Sequence, residues 1–239
     1  MGENKPIIEI KSINKSFGKK DILDNISLDI YPGERVAILG GNGAGKTTLV
    51  DMVSLTTKPT SGTIKINIEG NLKKEIGIQF QEGNWPSGIS ANDMLKFYKS
   101  IYPNFNDERE KYLEEIFEIS SFKQSTLNRL SGGQKQRFNA MLAVLNNPKI
   151  VILDELTTGL DMKLQFKLID FFKKSTIEEG QTLLIVSHMP EEVEQLCTRL
   201  IIIGDKKVLL DEKTENLFKK KISIRSLMHE YFERGVINV

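Results

Sequence analysis

The apolar positions of this 239-residue chain switch between two spacings. Ile8 and Ile10 alternate with Glu9 and Lys11, the period of two expected of a half-buried strand. Val36-Ala37-Ile38-Leu39 is an unbroken apolar run between Gly33 and Gly40, which predicts a strand covered on both faces. Thr48 to Val53 reads as a helix. Lys58-Pro59-Thr60-Ser61-Gly62 is a turn cluster, and short strands are expected near 63–68 and 76–80.

Residues 90 to 129 change to a helical pattern. Ser90 with Asp93 has the form of a helix cap, and Asn106 followed by Asp107 and Glu108 starts a second helix with acids in its first turn. Leu113, Ile116 and Phe117 give that helix an apolar stripe. Strands and helices then alternate: a helix over 132–146, a strand over 149–154, a helix over 162–178 and a strand over 182–187. Pro190-Glu191-Glu192 opens the next helix, and 200–203 and 206–210 read as a closing pair of strands. Such alternation predicts an α/β fold with a mainly parallel sheet and its active loops at the carboxyl ends of the strands.

Composition narrows the function classes. Lys and Arg total 33 against 32 for Asp and Glu, a balance unlike the basic excess of a dedicated nucleic-acid binder. Any phosphate recognition must therefore be local, and nucleic acid is not an expected partner. Cys197 is the only cysteine, so no disulfide forms within the chain, which fits a cytosolic setting. The N-terminal segment lacks the apolar stretch of a signal peptide, and nowhere do 18 apolar residues run together, so no membrane span is expected.

The chemistry lies in a few short strings. Gly40-Gly41-Asn42-Gly43-Ala44-Gly45-Lys46-Thr47 follows the buried strand and opens a helix, the context a phosphate-binding loop requires. Glycines let successive backbone N–H groups turn towards one anion, and the helix N-terminus adds partial positive charge. Lys46 would reach the outer phosphates and the Thr47 hydroxyl would bind Mg²⁺. Ile150 to Leu153 form an apolar strand ending in Asp154-Glu155. Asp154 suits a metal shell, and Glu155, pointing elsewhere, suits a general base for an attacking water. The structural alternative is a helix N-cap acid after the strand, since Thr157 and Thr158 follow. Ser131-Gly132-Gly133-Gln134 fits a capping box at a helix start, with Phe138, Met141, Leu142 and Leu145 on the core face. A cap alone does not account for two glycines, each unfavourable in a helix by about 1 kcal/mol. They make sense where the backbone must approach a ligand closely.

The order and wording of these strings resemble the ATP-binding-cassette (ABC) ATPases, the motor subunits of ABC transporters, over about residues 6 to 212. Leu130-Ser131-Gly132-Gly133-Gln134-Lys135-Gln136-Arg137 matches that family's signature closely. The resemblance implies a P-loop NTPase core (1–88 and 131–212) that includes a small antiparallel β subdomain, a helical subdomain (89–130) and a C-terminal helical tail (213–239). It implies ATP and Mg²⁺ as cofactors, with Gly40, Asn42, Gly43, Ala44, Gly45, Lys46, Thr47 and Thr48 around the phosphates. It also implies that Ser131, Gly132, Gly133 and Gln134 contact the γ-phosphate held by a second subunit, in a homodimer or a heterodimer with a related ATPase. Gln81 matches the glutamine that links Mg²⁺ and the lytic water to the transmembrane partner, with Gln79 close enough to leave the register open. His188 matches a switch histidine near the γ-phosphate, and Asp161 a loop crossing the dimer interface. Phe17 matches the aromatic that stacks on adenine, with a core phenylalanine as the alternative.

Leu156 stands where the family usually has proline after the acid pair, which would loosen that loop without removing a chemical group. Lys219-Lys220-Lys221 with Arg225 reads as a solvated basic face rather than a contact with anionic lipid. The resemblance implies an ATPase on the cytoplasmic face of a membrane, working through transmembrane permease subunits, of the drug, peptide or antibiotic export kind. The rival reading is a soluble ABC ATPase acting as an assembly or regulatory factor.

Overall fold

A computed structural model describes residues 5–79, 85 and 87–234. In chain order the elements are β1 (Ile8–Phe17), β2 (Lys20–Ile30), β3 (Arg35–Gly40), α1 (Lys46–Val53), β4 (Ser61–Ile66), α2 (Leu72–Glu75), β5 (Ile76–Ile78), α3 (Ala91–Ile101) and α4 (Asp107–Phe117). They continue with α5 (Gly132–Val144), β6 (Ile150–Asp154), α6 (Met162–Glu178), β7 (Thr182–Val186), α7 (Pro190–Leu196), β8 (Arg199–Gly204), β9 (Lys207–Lys213), α8 (Thr214–Lys219) and α9 (Ile224–Arg234). The chain forms two compact units, Met1–Glu69 with Thr182–Val239, and Gly70–Gln181.

In the first unit β3 lies between β7 and β8 and runs parallel to both, while β9 closes antiparallel on β8. Val36, Ala37, Ile38 and Leu39 are all at most 1% exposed, as an apolar run without alternation requires. A separate antiparallel sheet has the order β2-β1-β4. This is the small antiparallel sheet expected, enlarged by β2. The apolar positions of β2 (Leu23, Ile26, Leu28, Ile30) skip a residue at Asn25, whose φ is +51°. That irregularity breaks the alternation by which a strand is recognised.

In the second unit β5 and β6 pair in parallel. Both expected caps of the helical insertion form. Ser90 and Asp93 make a reciprocal capping box on α3, and the Asn106 side chain accepts the Arg109 N–H at the start of α4. Leu113 and Phe117 turn inward from α4, and Phe117 meets Phe171 and Phe172 of α6 at ring distances of 5.4 and 6.3 Å. Lys99 and Lys123 bracket Glu110 and Glu114 in an ion network beside this core.

Candidate functional site

The first unit carries the phosphate loop. β3 delivers the chain to Gly40, and the turn that follows is closed by the Ala44 N–H donating to the Gly41 carbonyl at 3.1 Å. α1 then starts with Gly45 as its N-cap at φ +99°, and no side chain caps it. Only glycine fits here, because the left-handed backbone disfavours a side chain and a Cβ would lie 2.6 Å from Leu23 Cδ2. The helix start therefore offers its first-turn N–H groups with no capping side chain in the way. Gly43, Ala44, Gly45, Lys46, Thr47 and Thr48 line a cavity of about 180 Å³ together with Lys20 and Ile22. The Lys46 ammonium folds back onto the carbonyls of Gly40 and Gly41 at 2.8 and 3.0 Å. A lysine ammonium beside an uncapped helix start is an arrangement whose charge favours an anion.

Two more expected residues lie in this unit. Phe17 ends β1 and is 57% exposed, so it is not a core phenylalanine. Lys15 Nζ sits 4.7 Å from its ring centroid, a cation–π contact. His188 follows β7 at an exposed position before α7, two residues ahead of Pro190. Ser187 uses its hydroxyl to accept the Met189 N–H, a local turn bond.

The second unit carries the acid pair. β6 is fully buried up to Leu153 and ends at Asp154. No helix begins at Asp154 or Glu155. The next one, α6, is capped by Asp161, whose carboxylate accepts the Leu164 N–H at 3.1 Å. The helix-capping alternative thus belongs to Asp161 and not to the acid pair. Glu155 has φ +53°, a left-handed backbone rarely adopted by a residue with a side chain. Its carbonyl accepts the Gln136 side-chain amide, which also donates to the Asp154 carbonyl at 3.3 Å. Gln79, 2% exposed, donates to the same Asp154 carbonyl at 3.2 Å. The side-chain amides of buried Gln79 and half-buried Gln136 therefore hold the backbone that presents the acids, a part that sequence reasoning missed. Gln136 stood inside the signature string and Gln79 beside Gln81, but neither carried a charge or a spacing that marked the contact. Leu156, in place of proline, is fully buried and so anchors the loop. Gln81 lies outside the described residues.

α5 begins in the same unit. Ser131 Oγ accepts the Gln134 N–H at 3.3 Å and Gln134 Oε1 accepts the Ser131 N–H at 2.9 Å, the reciprocal box expected. The two glycines differ. A Cβ on Gly133 would lie 3.2 Å from the Gly159 carbonyl, a tight contact inside the chain, whereas one on Gly132 would meet nothing within 4 Å.

The ABC transporter family profile matches residues 23–158. The Nod factor export ATP-binding protein I of Cupriavidus metallidurans is 29% identical over 90% of this chain and 74% of its own length. The methionine import ATP-binding protein MetN of Clostridium tetani is 31% identical over 89% of this chain and 71% of its own. Among solved structures, the dimeric post-hydrolysis state of the ATP-binding cassette MJ0796 bound to ADP and Pi superposes with a TM-score of 0.77. It is 28% identical, over 86% of this chain and 98% of that one.

Proposed function

This chain belongs to the ABC transporter family of ATP-binding proteins, and from that premise we propose that it is the ATP-hydrolysing motor of a transporter whose membrane-spanning part is carried by other chains. The observation that carries the reading is the phosphate loop, an uncapped helix start around a cavity with the Lys46 ammonium at its edge. ATP would displace the Gly40 and Gly41 carbonyls as partners of Lys46, because phosphate oxygens are charged acceptors and form the stronger bond. Phe17, exposed beside β1, offers a stacking face for adenine.

Glu155 acts as the general base in this reading. Its carboxylate takes a proton from the attacking water, and the Gln79 and Gln136 side-chain amides, donating to the Asp154 and Glu155 carbonyls, fix the backbone that carries it. His188 stands by the γ-phosphate, and Gln81 relays the state of the site to the membrane partner. Thr47 and Asp154 supply hydroxyl and carboxylate oxygens, the donor type Mg²⁺ accepts, and a site with few protein ligands is normal where phosphates complete the shell. Mg²⁺ bound there would neutralise charge on the phosphates.

The working state we propose is a head-to-tail pair, homodimeric or with a related ATPase. Each copy's Ser131–Gln134 start meets the γ-phosphate on its partner, and Asp161 lies at the junction. Hydrolysis opens the pair. The dimeric relative with ADP and Pi supports the pairing of cassettes that this arrangement requires. Among the described residues no helix is long and apolar enough to cross a membrane. In this reading transport runs through permease subunits, with this chain peripheral on the cytoplasmic face. Relatives named for export and for import both align over most of the chain; the wording around Ile150–Asp161 is our ground for favouring export.

The test is affinity capture from detergent-solubilised membranes, using the Glu155→Gln chain arrested with ATP. Recovery of multi-spanning membrane proteins in stoichiometric amount is expected. Recovery of soluble partners alone would overturn the transport role and favour the assembly-factor reading.

A further inference from the structure

The phosphate loop is held from behind by the last helix of the first unit. Tyr231 of α9 uses one hydroxyl twice: it accepts the Gly41 N–H at 3.1 Å and donates to the Ile203 carbonyl at 3.1 Å. Ile203 is the β8 partner of Gly40, the last residue of β3. One oxygen thus ties the first residue of the loop to the sheet position from which the loop departs. The fit depends on Gly204, where a Cβ would stand 2.8 Å from the tyrosine oxygen and 3.2 Å from its ring.

This contact lies off the cradle. Gly41 lines a cavity of about 220 Å³ with Gly204, Asp205, Leu209, Tyr231 and Phe232, and shares none of those residues with the cavity bounded by Gly43–Thr48. α9 is also firmly seated. Ile224, Leu227 and Met228 are buried, the Ile224 N–H donates to Glu194 of α7 at 3.0 Å, and Arg225 pairs with Glu191 of α7. Phe232, next along, places its ring 5.1 Å from that of Tyr231 and 6.5 Å from that of His188. The helix therefore touches the loop and the histidine segment at once.

We propose that Tyr231 is a positioning residue for nucleotide binding: its hydroxyl fixes the Gly41 amide, so that the N–H groups of the following turn converge on the phosphates without first being ordered. The proposal rests on reading Gly40–Thr48 as the ATP site. A side chain that orders a loop in advance acts on affinity more than on the chemical step.

Tyr231→Phe removes the oxygen and keeps the ring. Equilibrium binding of a fluorescent ATP analogue to the purified chain is expected to weaken about 5- to 20-fold, the effect of one half-buried amide losing its acceptor and the loop its preset geometry. In steady-state hydrolysis KM should rise by a similar factor while kcat stays within about twofold. Exchange of the Gly41 amide with solvent should accelerate in the variant. Wild-type affinity in Tyr231→Phe would overturn the proposal, as would equal losses in kcat and affinity, which indicate general damage. The wild-type and Lys46→Ala chains separate the two layers. If the wild type binds no ATP, the nucleotide-site reading fails as well. If only Lys46→Ala loses binding, that reading stands and the Tyr231 role falls.

Discussion

Two helices of this chain begin in glycine-rich strings, and they begin in different ways. α1 starts at a left-handed Gly45 with no side-chain cap. α5 starts at Ser131 in an extended conformation, and the Ser131–Gln134 box bonds two of its own backbone donors. The glycines differ accordingly. Gly45 is required by the chain itself, since Leu23 Cδ2 would lie 2.6 Å from a Cβ. Gly132 is not, since a Cβ there would meet nothing within 4 Å. A glycine that the fold needs can be explained from inside the molecule. One that the fold does not need, in a helix where alanine would be more stable, points to something that comes from outside.

The largest expected effect tests whether both helices serve one reaction. Glu155→Gln should lower turnover about 10²–10⁴-fold, equivalent to about 3–5 kcal/mol of barrier, while nucleotide binding at α1 persists. Equal loss of binding and turnover would make Glu155 a ligand and not a base. Next comes the glycine pair. Gly45→Ala should destabilise the fold by about 2–4 kcal/mol through left-handed strain and the Leu23 clash. Gly132→Ala should keep thermal stability or raise it by up to about 1 kcal/mol yet depress hydrolysis at saturating ATP. Normal hydrolysis in Gly132→Ala would remove α5 from the reaction and collapse the contrast. Ser131→Ala should lower stability by about 0.5–2 kcal/mol through loss of the cap; calorimetry of the purified variant reads it directly.

The smallest effect concerns the frame that carries α5. Burial raises the Glu110 carboxyl, but hydrogen bonds from Lys123 and Lys99 outweigh it and bring the group down to about 2. A carboxyl lowered on folding adds stability above its unfolded value near 4.5, and that contribution is lost as pH falls from there towards about 2. The gap in melting temperature between wild type and Glu110→Gln should therefore be full at neutral pH and narrow in acid. A gap independent of pH would show that Glu110 contributes by packing alone.

How much was legible in the sequence follows the same division. The loop from Gly40 to Thr47 was readable because glycine, lysine and threonine spacing dictates its shape locally. The span of α6, its cap at Asp161 aside, was readable from the alternation of strands and helices, and the caps of α3 and α4 from their Ser/Asn–acid strings. β2 was missed because Asn25 interrupts its alternation. The brackets on the acid pair were missed for a different reason: Gln79 and Gln136 reach Asp154 from 75 and 18 residues away, and a neutral amide leaves no spacing rule to read. Tyr231 meets Gly41 across 190 residues, so no local pattern could announce it. Within the basic cluster, Lys219 pairs with Glu215 and the nearby Arg225 pairs with Glu191.

The central claim is that α1 of one copy and the α5 start of another complete a single ATP site. Mixing separately purified Lys46→Ala and Ser131→Arg chains tests it most directly, because only a mixed pair contains one intact phosphate loop facing one intact serine-glycine start. With random pairing, recovery to about a quarter of wild-type hydrolysis is predicted from two chains that are each inactive alone. A mixture no more active than its two components would contradict the account.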